Sequence, residues 1–419
     1  MASPTPRSVL TRPKDHPMKT TALSQSIMPR LPLPLDQPLP WLGGLTATQF
    51  MKRHWQKKPL FVKGAFAKAF AQQLPIDQSV FFEEALSDAL PVRLVSAQSA
   101  VTHGPLIKRQ IPSLKRAGWT ILIQQLNSQH QSADDFLNHF RFLPEARLDD
   151  LMISYASDQG GIGAHVDSYD VFLIQAQGKR LWELARDYPD DLVEGIDLKV
   201  LKHFQAEVAH LCEPGDLLYL PPGVAHRGVA VGHDCMTYSV GFRAPDHREI
   251  ADAAFGQHLD RLLAQPWSDP WLSATDRVGE LPDRLVKDMA DKAMACMPGH
   301  QTVCEEVVIA LSVPHPTVLA NLPKPISYPA FVKRLAKAKG LALAPGARLM
   351  TWQQMAAANG EPIPLDGLSK GERTQVMDLL NRLGNERRFG QKYCDAALSK
   401  TGFSEIFFNL YLGGVVLFL

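Results

Sequence analysis

The chain has 419 residues, 45% hydrophobic and 21% charged, with 44 Lys+Arg against 43 Asp+Glu. That length holds two or three compact units, and a formal net charge of +1 excludes a global pull toward nucleic acid or membrane. The five cysteines, Cys212, Cys235, Cys296, Cys304 and Cys394, are scattered without a CxxC pair. They argue against a disulfide framework or a cysteine zinc site and fit a reducing, cytoplasmic setting.

No early stretch has a charged start followed by an unbroken apolar core, so no secretory signal is expected. Residues 1–40 are rich in Pro, Ser and Thr with few acids. They are expected to form a disordered tail, with an organelle transit peptide as the other reading; Met18 and Met28 are alternative starts. Order is expected from "WLGGLTATQFMKRHWQKKPLFVKGAF". Thr46 with Gln49 three residues on forms a capping-box pattern opening a short helix through Trp55, and "PLFVKG" reads as a strand. "MKRHWQKK" is a solvated helix end in preference to a nucleic-acid or acidic-partner patch.

From Pro91 to Pro245 short β-like runs alternate with turn signals: "VRLV", "WTILIQQL", "LMISYAS", "YDVFLIQA", "KRLWEL", "DLLYL" and "MTYSVGFR". This texture predicts a sandwich or barrel, interrupted by a helical insert at "SADDFLNHFRFL". After Pro245 the spacing becomes helical in "REIADAAFGQHLDRLLAQ" and "LPDRLVKDMADKAMACM". A C-terminal unit follows, with helices at "SYPAFVKRLAKAKG" and "KGERTQVMDLLNRL", where Val376, Leu379, Leu380 and Leu383 share a face. The closing "SEIFFNLYLGGVVLFL" reads as a hairpin across Gly-Gly and is too short to span a bilayer. Helices followed by a hairpin resemble a winged helix, and the near-neutral charge favours protein docking over DNA reading.

The chemistry gathers in two stretches. In "GGIGAHVDSYDVFLIQAQGKRLWELA", His165 and Asp167 stand two apart, and on a strand they share a side. In "EPGDLLYLPPGVAHRGVA", Gly215, Pro221, Gly223 and His226 complete the pattern G-x5-P-x-G-x2-H, in which a rigid Pro-Pro-Gly turn presents one imidazole. Two histidines and a carboxylate make the facial set of non-haem Fe(II) sites, which leaves open positions on the metal. Arg180 shares a face with Trp182 and Leu184. A buried guanidinium needs a carboxylate, either an internal acid or a dicarboxylate cosubstrate held bidentately. Ser154, one strand earlier, is a candidate hydroxyl for the same carboxylate. Asp158 is read as a turn residue before a partner for a cationic target.

The His165–Asp167–His226 set, the run "YDVFLIQAQGKRLWEL" with Arg180, and "TYSVGFRAP" resemble the JmjC-type ribosomal oxygenases of the cupin superfamily. The likeness is greatest to the bacterial branch that hydroxylates an arginine of large-subunit ribosomal protein sixteen. It covers most of the chain from about Trp41. The resemblance implies an α+β chain with a double-stranded β-helix core, a helical dimerisation region and a C-terminal winged-helix domain. It places Fe(II) on His165, Asp167 and His226, and 2-oxoglutarate on Arg180 and Ser154, with O2 as the third reactant. Arg180, where the eukaryotic branch usually has lysine, favours the bacterial branch. The division it implies is a tail at 1–40, a catalytic JmjC domain at 41–248, a helical region at 249–305 and a winged helix at 306–419. A ribosomal protein substrate and a homodimer are the expected partners, with no membrane and no direct nucleic-acid binding. The alternatives are a histidyl hydroxylase or lysine demethylase of the same superfamily, a non-catalytic cupin-like adaptor acting through its winged helix, and a small-molecule cupin enzyme.

Overall fold

The computed structural model describes residues 28–66, 70, 72–96, 100–262, 265–316 and 322–419. Ten strands build the core: β1 (Leu60–Val62), β2 (Val92–Val95), β3 (Val101–His103), β4 (Thr120–Ile123), β5 (Leu148–Ala156), β6 (His165–Val166), β7 (Val171–Ala185), β8 (Val208–Cys212), β9 (Leu217–Leu220) and β10 (Ala225–Phe242). The two longest, β7 and β10, pair antiparallel along almost their whole length. They are shared by two layers. Their Val171–Ile174 and Cys235–Phe242 halves join the sheet β1-β9-β7-β10-β5-β4-β2-β3. Their Arg180–Leu184 and Ala225–Val231 halves pair with β8 and β6.

The bend between layers has a local cause. Gly178 sits at φ +65°, and a Cβ there would lie 2.7 Å from the Asp234 carbonyl oxygen, so only glycine fits. Opposite it, the register slips between Val231 and Met236 in a β-bulge. "YDVFLIQA" and "KRLWEL", which read as separate runs, are therefore one bent strand. Both faces of its first half are covered, which is why the run is apolar throughout. Phe172 and Ile174 enter the large outer core with Phe50, Phe140, Tyr155 and Tyr238, while Val171 and Leu173 face an inner cluster with Trp182, Leu184, Leu218 and Leu220.

Helices α1 (Ala47–Arg53), α2 (Gln78–Ala85) and α3 (Gln131–Phe136) pack Phe50, Phe81 and Phe136 into the outer core. The Thr46–Gln49 capping box is present on α1, and Trp55 of "MKRHWQKK" is buried rather than solvated. Of the tail expected at 1–40, residues 1–27 lie outside the described residues. In residues 28–40 Leu33 and Leu39 are buried and Met28 packs on the core, so packing begins before Trp41.

Beyond the barrel run α4 (His247–Asp260), α5 (Asp283–Ala295) and α6 (His300–Leu311). The C-terminal unit has its own core around Phe331, Leu343, Leu380, Phe389 and Phe407, built from α7 (Tyr328–Leu335), β11 (Gly340–Leu343), β12 (Leu349–Trp352), β13 (Met355–Ala358), β14 (Glu361–Pro362), α8 (Lys370–Glu386), β15 (Arg388–Gly390), α9 (Gln391–Leu398), α10 (Thr401–Leu412) and β16 (Val416–Phe418). Val376, Leu379, Leu380 and Leu383 are buried on one face of α8. The terminal hairpin is not formed. "SEIFFNLYL" lies in helix α10, whose Phe403, Phe407 and Leu410 reach the core, and β16 pairs with β11 instead. The apolar run carries helical spacing as well as strand propensity, and tertiary packing selects the helix.

Candidate metal and cosubstrate site

Three pieces of local chemistry deliver the metal-ligating side chains. After β9, Pro221, Pro222 and Gly223 turn the chain, with Gly223 at φ +79°, a conformation natural to glycine. The Gly223 amide donates to the Asp167 carbonyl at 3.0 Å, and the Tyr188 hydroxyl donates to the Gly223 carbonyl at 3.1 Å. The turn is thus stapled to the HxD segment. His226 then opens β10 directly opposite His165 of β6. Strand β6 ends at Val166, so Asp167 is set by the Gly223 bond rather than by strand alternation, a departure from the same-strand expectation.

The two imidazole rings stand 4.2 Å apart. His226 Nε2 is 3.6 Å from one Asp167 carboxylate oxygen, and His165 Nε2 is 4.0 Å from the other. Each Nδ1 faces a main-chain carbonyl, Gly163 for His165 at 3.1 Å and Val224 for His226 at 3.0 Å. Donating there assigns the proton to Nδ1 and leaves both Nε2 lone pairs for a cation. Burial, with the neighbouring His165 adding to it, lowers the His226 pKa to about 3, which keeps that ring neutral at physiological pH. Burial also raises the Asp167 carboxyl, opposed by His165 and by the Tyr169 hydroxyl. All three donor atoms lie within 4.8 Å of one another, forming a cluster able to hold a metal ion.

Behind this cluster lies Arg180, 4% exposed. Among the described residues its Nε and Nη2 have no hydrogen-bond partner. An unpaired guanidinium in such a place is strongly destabilising unless an anion joins it. The indole of Trp182 lies between the two ends of the site, its ring 5.6 Å from the guanidinium and 5.9 Å from the His226 ring. Gly228 makes room for it, since a Cβ there would sit 2.5 Å from the indole. Ser154 is buried and pairs in register with Thr237, which pairs in turn with Gln175. The Thr237 hydroxyl donates to Gln175 Oε1 at 3.1 Å. A two-histidine, one-carboxylate set with open positions, beside a buried cation with two unused donors, fits Fe(II) and 2-oxoglutarate.

Sequence reasoning missed Thr237, Gln175, Tyr169 and Asp150. Asp158 is the turn residue expected, its carboxylate accepting the Gly232 amide at 2.7 Å. Asp150 lies on the same side of β5 as Ser154, where a Cβ added at Gly241 would meet both Asp150 and Tyr169. It accepts the Gln125 amide at 2.8 Å. Burial, reinforced by Asp149, raises its pKa to about 7. The folded protein therefore holds a proton there that the unfolded chain releases above the ordinary value of 3.8, so this group's contribution to stability falls as pH rises through that window. Asp150→Asn, which still accepts the Gln125 amide, is expected to gain stability over the parent as pH rises from about 4 to about 7 in denaturant titrations. Parallel pH profiles for the two proteins would contradict the assignment.

Comparison with known proteins adds an independent line. A family model, the JmjC domain, matches residues 135–250. The ribosomal protein uL16 3-hydroxylase of Escherichia coli (strain K12) is 38% identical over 226 residues, covering 53% of this chain and 59% of that protein. The chain thus spans under two thirds of the length of that curated relative. Among solved structures, E. coli YcfD superposes with TM-score 0.76 at 27% identity, covering 90% of this chain and 98% of that one. The ribosomal oxygenase YcfD in complex with cobalt and 2-oxoglutarate matches with TM-score 0.74 at 28% identity, covering 89% and 98%. The metal cluster, the Pro-Pro-Gly turn and the two-layered strands all fall within the residues that match the JmjC domain.

Proposed function

We propose that the protein is an Fe(II)- and 2-oxoglutarate-dependent oxygenase that hydroxylates an arginine side chain of large-subunit ribosomal protein uL16. The observation that carries the class is the pairing of a three-ligand metal cluster with the partnerless guanidinium of Arg180. The similarity to the uL16 3-hydroxylase supports the protein target, and the choice of arginine rests on the resemblance to the bacterial branch.

On this reading, His165, Asp167 and His226 hold the iron, and the neutral imidazoles with one carboxylate leave a net charge of +1 on it. Arg180 receives the far carboxylate of 2-oxoglutarate, which the hydroxyl of Ser154 supports. When bound, iron and cosubstrate supply the oxidation: one atom of O2 enters 2-oxoglutarate, which loses carbon dioxide to become succinate, and the other enters a C–H bond of the target. Trp182 and the inner apolar cluster keep water from the reacting end. The Tyr169 hydroxyl orients Asp167.

Two further elements belong to the proposal. The C-terminal unit is a winged helix used for protein docking, and the α4–α6 region is a homodimer interface. No α5 residue is buried, and Val286, Met289 and Met294 on it, with Leu281 before it and Leu259 on α4, are exposed. An apolar face of this extent marks an association surface.

Incubation with Fe(II), ascorbate, 2-oxoglutarate and a uL16 peptide is expected to add one oxygen, which fragmentation mass spectrometry localises to an arginine. His226→Ala should abolish succinate formation. Arg180→Met should raise the KM for 2-oxoglutarate at least about thirtyfold, the loss expected when one member of a buried charge pair is truncated. Full turnover without His226 would sink the metal assignment, and oxygen placed on a histidine would move the target. By light scattering the parent is expected at twice the chain mass and Val286→Asp/Met289→Asp at the chain mass; a monomeric parent would remove the dimer.

A further inference from the structure

The C-terminal unit touches the barrel through two buried arginines, Arg387 and Arg348, whose partners are Asp134 of α3 and residues 145–149 at the entry to β5. Arg387, 5% exposed and held at φ 58°, bonds both oxygens of Asp134 at 3.0–3.3 Å and Glu145 at 3.3 Å. Arg141 of the barrel bonds the same two acids, so two cations balance two anions away from water. Arg348 is different. It is 4% exposed, and its guanidinium donates to main-chain carbonyls only: Glu145 at 3.1 Å, Leu148 at 2.6 Å and Asp149 at 3.4 Å.

Those carbonyls belong to the turn before β5 and to its first two residues, of which Leu148 also pairs with Phe242 of β10. Past Asp149 the same strand carries the buried Asp150, which shares the space in front of Gly241 with Tyr169, and the buried Ser154. This end is also held by the β10 ladder, which pairs Leu148 with Phe242 and Leu151 with Val240, and by further contacts from neighbouring loops. The Gln125 amide bonds Asp150, the Leu151 amide bonds Asn127, and Arg243 bonds the Arg147 carbonyl through its amide while lying 3.5 Å from Asp149. Arg348 itself is anchored in the C-terminal unit by reciprocal bonds with Asn359, through the Arg348 amide and the Asn359 amide.

We propose that Arg348 is a positioning residue for the target-binding mouth: through it the C-terminal unit fixes the start of β5, and so the placement of Asp150 beside Tyr169. A surface ion pair contributes little, whereas three carbonyls gripped by one planar guanidinium tie the start of β5 and the turn before it to the C-terminal unit. The kinetic consequence rests on the oxygenase reading; the structural consequence does not.

The test compares the full-length parent with Arg348→Ala and Arg348→Lys. Hydrogen–deuterium exchange is expected to rise at Gln125 and Leu151 in both variants, more in the alanine one, while Leu217–Leu220 stays protected. With the uL16 peptide, Arg348→Ala should raise the peptide KM about tenfold, the size of coupling carried by such contacts. The 2-oxoglutarate KM should move little, because Arg180 sits on β7, and Arg348→Lys should recover part of the loss. If the alanine variant does not fold, the exchange and KM of the lysine variant decide. Unchanged exchange at Gln125 with an unchanged peptide KM overturns the proposal. A parent without turnover, but with the exchange changes present, removes the function and leaves the clamp.

Discussion

A positive charge shut inside a barrel with two donors unused is the constraint around which this molecule is arranged. Arg180 is 4% exposed, and neither Nε nor Nη2 finds a partner. A fold selected for stability alone would replace it with an apolar side chain, since even well-paired buried ions rarely stabilise. Holding it demands the rest: strand β7 long enough to bridge two layers, Trp182 beside it, Gly228 cleared for the indole, and a metal cluster at the other end of the same ring system. On the proposed reading, the cost of the unpaired cation is recovered when the far carboxylate of 2-oxoglutarate pairs with it.

Much of this site was legible in the sequence, and the reason is local rigidity. The Pro221-Pro222-Gly223 turn fixes His226 through backbone chemistry that a string of letters shows directly. Arg180, Trp182 and Leu184 obey simple alternation along one uninterrupted half-strand. What stayed hidden lies beyond a parity change. Along β10 the inward positions are His226, Gly228 and Ala230, then Cys235 and Thr237; along β7 they are Val171, Leu173 and Gln175, then Arg180 and Trp182. The bulge opposite Gly178 flips even to odd, and one displaced residue sends every later side chain to the other face. Thr237 and Gln175 could not be assigned without knowing where that slip falls. The HxD pair was read as one strand face, yet Asp167 lies past the end of β6 and owes its place to the Gly223 amide. The terminal helix α10 was missed for a different reason. A run as apolar as "IFFNLYL" satisfies both periods, and only Phe331 and Val416 across the core decide between them.

The two ends of the barrel are treated differently. The end around Arg180 is closed by apolar packing, and it is framed by β7, β8 and β10 with Ser154 of β5 in register beside Thr237. The other end is built from the beginning of β5, paired with β10 at Leu148 and Leu151, and from the residues after β6. There the C-terminal unit supplies what the barrel lacks, an ionic seam between Arg387, Arg141, Asp134 and Glu145 with Arg348 capping the strand. Charge in this seam is matched cation for anion, which makes it specific in register rather than merely adhesive.

The central claim is that one site holds a metal on His165, Asp167 and His226 and a dicarboxylate on Arg180. The most direct measurement is a crystal structure of the protein grown with cobalt(II) and 2-oxoglutarate without oxygen, read with anomalous scattering at the cobalt edge. The account predicts a single anomalous peak among the two Nε2 atoms and the Asp167 carboxylate, with the far carboxylate of 2-oxoglutarate within hydrogen-bond distance of Arg180 Nε and Nη2. Cobalt bound elsewhere, or a cosubstrate whose far carboxylate leaves Arg180 without a partner, would contradict it.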